Sequence, residues 1–246
     1  MNLVFDLGNS RCKWALADRD LAQGGVLLYG GDFARELENN LSALPRPQQV
    51  AAVCVAATEH LHTLMHWVRR HWNLDLQTIV TRATQLGVTN SYKDPIQLGA
   101  DRWAALVAAR ARLTDSVCVV DCGTAVTIDA LDQNGLFRGG VILPGLALMR
   151  DALLRTQGVR NVSGNAGSAL ALSTADGVVA GTLYGLAGAI DRVLDEQAAL
   201  LGSAPQTLIT GGDAQSLLAL LRHDVQYTPD LVLEGVAYIV RMEGSA

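Results

Sequence analysis

Short apolar runs separated by glycine-bearing or polar turns open both halves of the chain, and segments of helical period come after them. Residues 3–7, 12–17 and 26–29 read as three strands, the third following Gly24-Gly25. A helix is expected over 33–43, stopped before Pro45. The run 50–57 is almost continuously apolar, as a strand covered on both faces must be. Thr58 is placed to cap the next helix, whose Leu61, Leu64, Met65 and Val68 recur at helical spacing, and 76–80 forms another short strand.

The same order recurs in the second half. Strands are expected at 116–121, 125–131 and 136–142, with Asn134-Gly135 as a hairpin turn. Helices are expected at about 146–156 and 174–201, then a strand at 207–210, a helix from Asp213 and a last helix after Pro229. Strands alternating with Ala-, Leu- and Val-rich helices indicate an α/β architecture. The boundary is expected near 113–116, dividing the chain into 1–114 and 115–246, with the last helix free to pack back across it. The segment 158–167, rich in Gly and Asn, is the expected mobile loop.

Composition narrows the classes. Half the residues are hydrophobic, enough for a substantial core. The net charge is −5 and the Lys and Arg residues are scattered, so no nucleic-acid partner is expected. The first strand starts near Leu3, leaving no room for a signal peptide, and no uninterrupted apolar run reaches the roughly 18 residues of a membrane span. The expected location is the cytoplasm, with no membrane partner. Cys12, Cys54, Cys118 and Cys122 lie in or beside apolar strands and read as reduced, buried hydrophobes.

Two turns read as one device used twice. Asp6-Leu7-Gly8-Asn9-Ser10-Arg11-Cys12-Lys13 and Asp121-Cys122-Gly123-Thr124-Ala125 each end an apolar strand in Asp, then one residue, then Gly, then a small polar residue. The Gly lets backbone N–H groups approach phosphate oxygens, and the Asp places a carboxylate where a cation sits. Either alone reads equally as an ordinary hairpin. As a pair they can hold a polyphosphate from two lobes, with Asp6 positioning Mg²⁺ through water.

Three further motifs add chemistry. Thr210-Gly211-Gly212-Asp213-Ala214 joins a strand to a helix and lets a ligand approach the backbone; the plain alternative is a turn capped by Asp213. Gly99-Ala100-Asp101-Arg102 precedes the apolar segment 103–113. Asp101 is either a helix cap or a general base toward a hydroxyl, with Arg102 suited to an acidic small molecule. Tyr92, in the polar loop 90–95, could wall a small pocket. Gly139-Gly140-Val141-Ile142-Leu143-Pro144-Gly145 has the apolar content of a packed surface.

In this order and spacing the five motifs resemble those of type III pantothenate kinases, members of the acetate/sugar kinase, chaperone ATPase and actin superfamily. The resemblance covers essentially the whole chain. It implies two ribonuclease-H-like, actin-like lobes, each a mixed sheet flanked by helices, with ATP in the cleft between them. It implies ATP-dependent phosphorylation of pantothenate, the first step toward coenzyme A. By resemblance Asp6, Leu7, Gly8, Asn9, Ser10, Arg11, Cys12 and Lys13 bind ATP phosphates, Thr124 contacts them from the second lobe, and Gly211 and Gly212 line the adenosine pocket. Asp101 is the base. Tyr92, Gly99, Ala100, Asp101 and Arg102 hold pantothenate, Arg102 pairing with its carboxylate. Asp121 coordinates a monovalent cation, K⁺ or NH₄⁺. Thr174 reaches pantothenate across the interface of a homodimer, to which 139–145 belong. Ser10 stands where Thr is more usual, preserving the hydroxyl. Two other readings remain open: a non-catalytic regulator that uses nucleotide as a switch, and a kinase of another small molecule such as a sugar. Retention of Tyr92, Asp101 and Arg102 argues against the switch.

Overall fold

The computed structural model describes residues 1–156, 164 and 168–244, so the loop expected at 158–167 lies, Gly164 apart, outside the described residues. Contacts divide the chain into two compact units, Met1–Arg112 with Asp230–Ala246, and Leu113–Pro229. The segment from Asp230 onward thus belongs by contacts with the first unit, where a division at 114/115 leaves it with the second.

The first unit opens with an antiparallel meander, β1 (Asn2–Leu7), β2 (Arg11–Ala17) and β3 (Leu21–Leu28). Helix α1 (Phe33–Leu41) leads to β4 (Val50–Cys54), parallel to β1, and α2 (Thr58–Trp72) leads to β5 (Leu76–Thr78), parallel to β4. The sheet order is β3-β2-β1-β4-β5. Leu3, Phe5 and Leu7 alternate onto one face of β1, fully buried, and cluster with Leu37 and Leu41 of α1 and Leu64 and Val68 of α2. Alternation therefore turns Val4 and Asp6 to the opposite face. A small hairpin, β6 (Thr84–Gln85) and β7 (Val88–Asn90), precedes α3 (Ala100–Arg112).

The second unit repeats the plan. The meander is β8 (Val117–Cys122), β9 (Ala125–Leu131) and β10 (Leu136–Pro144). Helices α4 (Leu146–Leu154) and α5 (Thr174–Leu201) lead to β11 (Gln206–Thr210), parallel to β8. The short α6 (Ala214–Leu217) leads to β12 (Gln226–Tyr227), parallel to β11. Within this unit the strands run β12-β11-β8-β9-β10, the first unit's order traced again. Cys118, Val120 and Cys122 of β8 pack with Val179, Leu183, Leu186 and Ile190 of α5. The chain closes with α7 (Leu231–Glu243), which packs with α3 on the first unit's β4 and also touches β1.

Several expected elements change. The strand expected at 26–29 starts earlier, so that Gly24 and Gly25 lie inside β3 opposite Ala15 and Trp14, and a Cβ on Gly25 would come 3.0 Å from the Trp14 indole nitrogen. Thr58 is the first helical residue of α2 rather than its cap, and the cap position, Ala57, makes no side-chain bond. The helix expected from Asp213 shrinks to α6 and a 3-10 turn after it, and Asp213 makes no capping bond with its side chain. By length and composition α5 is apolar enough to cross a membrane, a property that averages over interruptions such as Asp191; 56% of that window is buried inside the protein. Among the described residues all four cysteines are free thiols, Cys54 half-buried and the others buried.

Candidate active site

The first Asp-x-Gly turn is built by β1 and β2. Asp6 pairs across the sheet with Lys13, and the Gly8 N–H donates to the Arg11 carbonyl at 3.1 Å, closing a tip that exposes Asn9, Ser10 and Arg11. Leu7 and Cys12 are wholly buried, so only their backbone can serve a ligand. Burial first, then the charge of Asp6, holds the Cys12 thiol well above its usual range. Lys13 Nζ has an acid partner that the sequence did not announce, Asp230 at 3.4 Å, just before α7. The Asp230 side chain is 46% exposed, and such a pair contributes about 0–1 kcal/mol, little enough to exchange for a phosphate.

The Leu7 carbonyl accepts from the N–H groups of both Val55 and Ala56, at 3.0 and 3.1 Å, so the chain leaving β4 is tied to the base of this turn. Val55 also reaches the next motif: a Cβ built on Gly99 would lie 3.8 Å from Val55 Cγ1. Within the first unit, one peptide segment after β4 therefore touches both the Asp6 turn and the Gly99–Arg102 turn. Nothing in the sequence separated Val55 from its apolar run.

Position 99 is crowded by the Asp101 side chain. The Gly99 carbonyl accepts from the Trp103 N–H at 3.0 Å, starting α3, and the Asp101 carboxylate folds back so closely that a Cβ at 99 would stand 2.6 Å from Asp101 Oδ1. Asp101 lies in the first turn of α3, not at its cap, and Oδ1 accepts from the Arg102 N–H at 2.7 Å. Burial raises the Asp101 pKa above 3.8, opposed by the Arg102 N–H, the Arg102 charge and Asp101's own N–H. A carboxylate held there, half-buried at a helix N-terminus, is oriented and more basic than one in water.

Arg102 is buried, and its Nη1 donates to the Tyr92 hydroxyl at 3.4 Å, bringing together two residues picked out separately from the sequence. Behind this turn, Trp103 Nε1 donates to Gln85 Oε1 at 2.6 Å. Gln85 Nε2 donates to Glu243 Oε1 at 2.8 Å, and Arg82 pairs with the same oxygen at 2.8 Å. The end of α7 thereby anchors the helix that carries Asp101.

In the second unit the Gly123 N–H donates to the Ala125 carbonyl at 3.1 Å, the counterpart of the Gly8 turn but one residue shorter. Asp121 pairs in register with Thr210 of β11, so the Asp121 and Thr210–Asp213 motifs are neighbours. The Cys122 carbonyl accepts from the Asp213 N–H at 3.0 Å. Gly211, at φ +97°, passes so close that a Cβ would stand 2.4 Å from that oxygen. Burial, then the charges of Asp121 and Asp213, push the Cys122 thiol up to about 12. The Thr124 carbonyl accepts from the Gly145 N–H, tying this hairpin to the start of α4. Thr174 is the exposed first residue of α5, at a shallow cavity of about 410 Å³ lined by Met149, Leu153, Gly177, Val178, Gly181 and Thr182.

Among the described residues no three His, Cys, Asp or Glu side chains converge on a common point. Single carboxylates at Asp6 and Asp121 fit ions held mainly by phosphate, carbonyl and water oxygens, as Mg²⁺ in nucleotide sites usually is.

Comparison with known proteins agrees with this geometry. A protein with the same fold is the activator of 2-hydroxyisocaproyl-CoA dehydratase from Clostridium difficile, solved with bound ADPNP. It has a TM-score of 0.58 and 12% identity over 99% of this chain and 96% of that one. The type III pantothenate kinase of Alkalilimnicola ehrlichii is 40% identical over 98% of both chains. That of Nitrosococcus oceani is 36% identical over 98% of this chain and 94% of its own. The family model for type III pantothenate kinases matches residues 2–196, a span that contains the Asp6, Gly99–Arg102 and Asp121 turns. With its motifs, its repeated fold and these relatives in agreement, the chain belongs to the type III pantothenate kinase family.

Proposed function

We propose that the protein transfers the γ-phosphoryl group of ATP to the hydroxyl of pantothenate, giving 4′-phosphopantothenate and ADP in the first step of coenzyme A synthesis. The observation that carries this reading is Asp101, a half-buried carboxylate of raised pKa, seated beside the same Val55 segment that holds the Asp6 turn. Asp101 orients the attacking hydroxyl and takes its proton as the new O–P bond forms and the bond to ADP breaks. Positioning and charge neutralisation supply most of the acceleration in such transfers. The turn from Asp6 to Lys13 serves the ATP phosphates, as does Thr124, while Gly211 and Gly212 serve the adenosine. Asp6 would hold Mg²⁺ through water, where the ion would supply charge neutralisation for the phosphates. Tyr92, Gly99, Ala100 and Arg102 hold pantothenate, Arg102 facing its carboxylate.

Asp121 holds K⁺ or NH₄⁺ in this reading, and Thr174 serves the pantothenate of a second copy in a homodimer. The second unit offers support for that partner: Val141, Ile142, Leu148, Leu153, Leu154 and Tyr184 are exposed. Along α5, Gly177, Gly181, Gly185 and Gly188 recur at helical spacing, with no atom within 4 Å of a Cβ at 181 or 188. Such a face suits close packing against another helix. The proposed location is the cytoplasm, with neither nucleic acid nor membrane as partner, as the scattered basic residues suggest.

The test is ATP consumption by the purified protein with pantothenate, with a panel of sugars and with no acceptor. Turnover with pantothenate alone is expected; turnover only with a sugar, or none with any acceptor, overturns the reading. The same assay without K⁺ and NH₄⁺ should run slower, and an unchanged rate would remove the cation from Asp121.

A further inference from the structure

Asn90 ends β7, and its own N–H donates to the Ala83 carbonyl at 2.8 Å. Its side chain is spent on the adjoining loop. Oδ1 accepts from the Tyr92 N–H at 3.0 Å, and Nδ2 donates to the Pro95 carbonyl at 3.2 Å. One side chain, 9% exposed, thus ties both ends of the loop 91–95 to the hairpin behind it. Tyr92, the loop residue so anchored, is the one whose hydroxyl accepts from Arg102 at the start of α3. The far end is fixed in the same way: the buried Thr81 hydroxyl donates to the Leu98 carbonyl at 2.7 Å, immediately before Gly99.

We infer that Asn90 is a positioning residue for the acceptor, setting the Tyr92 ring against Arg102 and thereby the affinity for pantothenate, without taking part in phosphoryl transfer; this rests on the assignment of Tyr92 and Arg102 to pantothenate above. The chemistry requires an amide. One atom must accept from an N–H while another donates to a carbonyl, and a short side chain of this kind is what an Asx-type turn uses. Loss of the amide takes the side-chain partner from the part-buried Tyr92 N–H and leaves the Pro95 carbonyl with the Leu98 N–H at 3.2 Å, so both ties of the loop to the hairpin are lost and the loop loosens. Because the ATP turn contacts other residues, that loosening acts on one substrate only.

The experiment is a double-mutant cycle in steady-state kinetics. Asn90→Ala is expected to raise KM for pantothenate about tenfold, as the loss of two part-buried hydrogen bonds allows, with kcat and KM for ATP within about twofold of wild type. In a Tyr92→Ala background it should add almost nothing, because Asn90 acts through that ring. An unchanged KM, an equal rise for both substrates, or full additivity with Tyr92→Ala overturns the inference. Asn90→Asp, which keeps the acceptor and loses the donor, carries the same cycle if the alanine variant does not fold. Amide hydrogen exchange of 91–94 in the absence of substrate is the independent arm. Protection should fall in Asn90→Ala with the rest of the first unit unchanged, whichever acceptor the wild-type protein proves to use. Unaltered protection refutes the positioning role even if the pantothenate assignment stands.

Discussion

Asp101 carries opposite demands of stability and chemistry. Its folded-state pKa lies above 3.8 because burial penalises the charged form. The folded protein therefore binds this proton more tightly than the unfolded chain does. Its contribution to stability is fully present below the unfolded pKa and is lost as pH rises through the folded pKa. At neutral pH the ionised group costs stability, while its ionisation is what lets it accept a proton. Asp101→Asn keeps an acceptor for the Arg102 N–H and removes the charge. It should lower kcat/KM for pantothenate by about 10²–10⁴-fold, yet leave the melting temperature at neutral pH equal to or above that of wild type. Calorimetry alongside kinetics checks both halves, and a variant as fast as wild type would strip Asp101 of its role. The wild-type rate should also fall on the acid side, with an apparent pKa higher than that of a free aspartate side chain. Asp101 and Arg102 drew notice in the sequence as a charged pair beside Gly opening an apolar helix, with cap and base left open for Asp101; the structure puts Asp101 in the first turn and Arg102 against Tyr92. Asn90 and Thr81 were not legible, because their function lies in hydrogen bonds to backbone groups several residues away.

Elements were legible where their patterns were long. The strands β1, β2, β8 and β9 announced themselves by apolar runs, and α5 by its length, but the first half of β3 and the β6–β7 hairpin did not. Its strands are very short, and its turn places Leu86 at φ +48° beside Gly87 at +83°, a conformation that the identity of Leu conceals. Helix α5 hides a different feature. Asp191 is 2% exposed within its apolar sequence, where an unpaired charge would be costly. The structure supplies partners from the chain after α6: the backbone N–H of Arg222 donates to both carboxylate oxygens, at 3.1 and 3.2 Å, and Arg222 Nε donates to Oδ2 at 3.3 Å. Asp191 thus anchors the connection from α6 to β12. Asp191→Ala should destabilise the second unit by about 2–4 kcal/mol, lowering its melting temperature by roughly 5–15 °C. Activity measured well below that transition should stay close to wild type, since no group assigned to substrate touches Asp191. A melting temperature within a degree of wild type would show the carboxylate to be a bystander.

At the scale of the whole molecule, one topology is used twice. In both units the end of the first strand carries Asp-x-Gly, and a backbone carbonyl just after the Asp accepts from the chain leaving the adjacent parallel strand: Leu7 from Val55 and Ala56, Cys122 from Asp213. That repetition was legible from the order of elements. The sequence left the last helix free to pack back across the boundary, but an amphipathic helix bears no mark of what it will cover; its contacts with α3, β1 and β4, and Glu243 bonded to Arg82 and Gln85, give the destination. The first unit holds the proposed base, while Thr174 lies in the second, so the proposed homodimer makes a prediction that neither unit makes alone. If Thr174 of one subunit serves the pantothenate held by its partner, Asp101→Asn and Thr174→Val are defects of different protomers at each site. Mixed after dissociation and reassociation, they form heterodimers in which one site carries both lesions and the other carries neither. Equal mixing should then restore roughly a quarter of wild-type activity from two nearly inactive preparations, the statistical yield for a two-fold dimer. If Thr174 instead serves its own subunit, every site in the mixture keeps one lesion and activity stays at the mean of the two variants. A single-subunit mass for the active protein in sedimentation would dispose of the cross-subunit role outright.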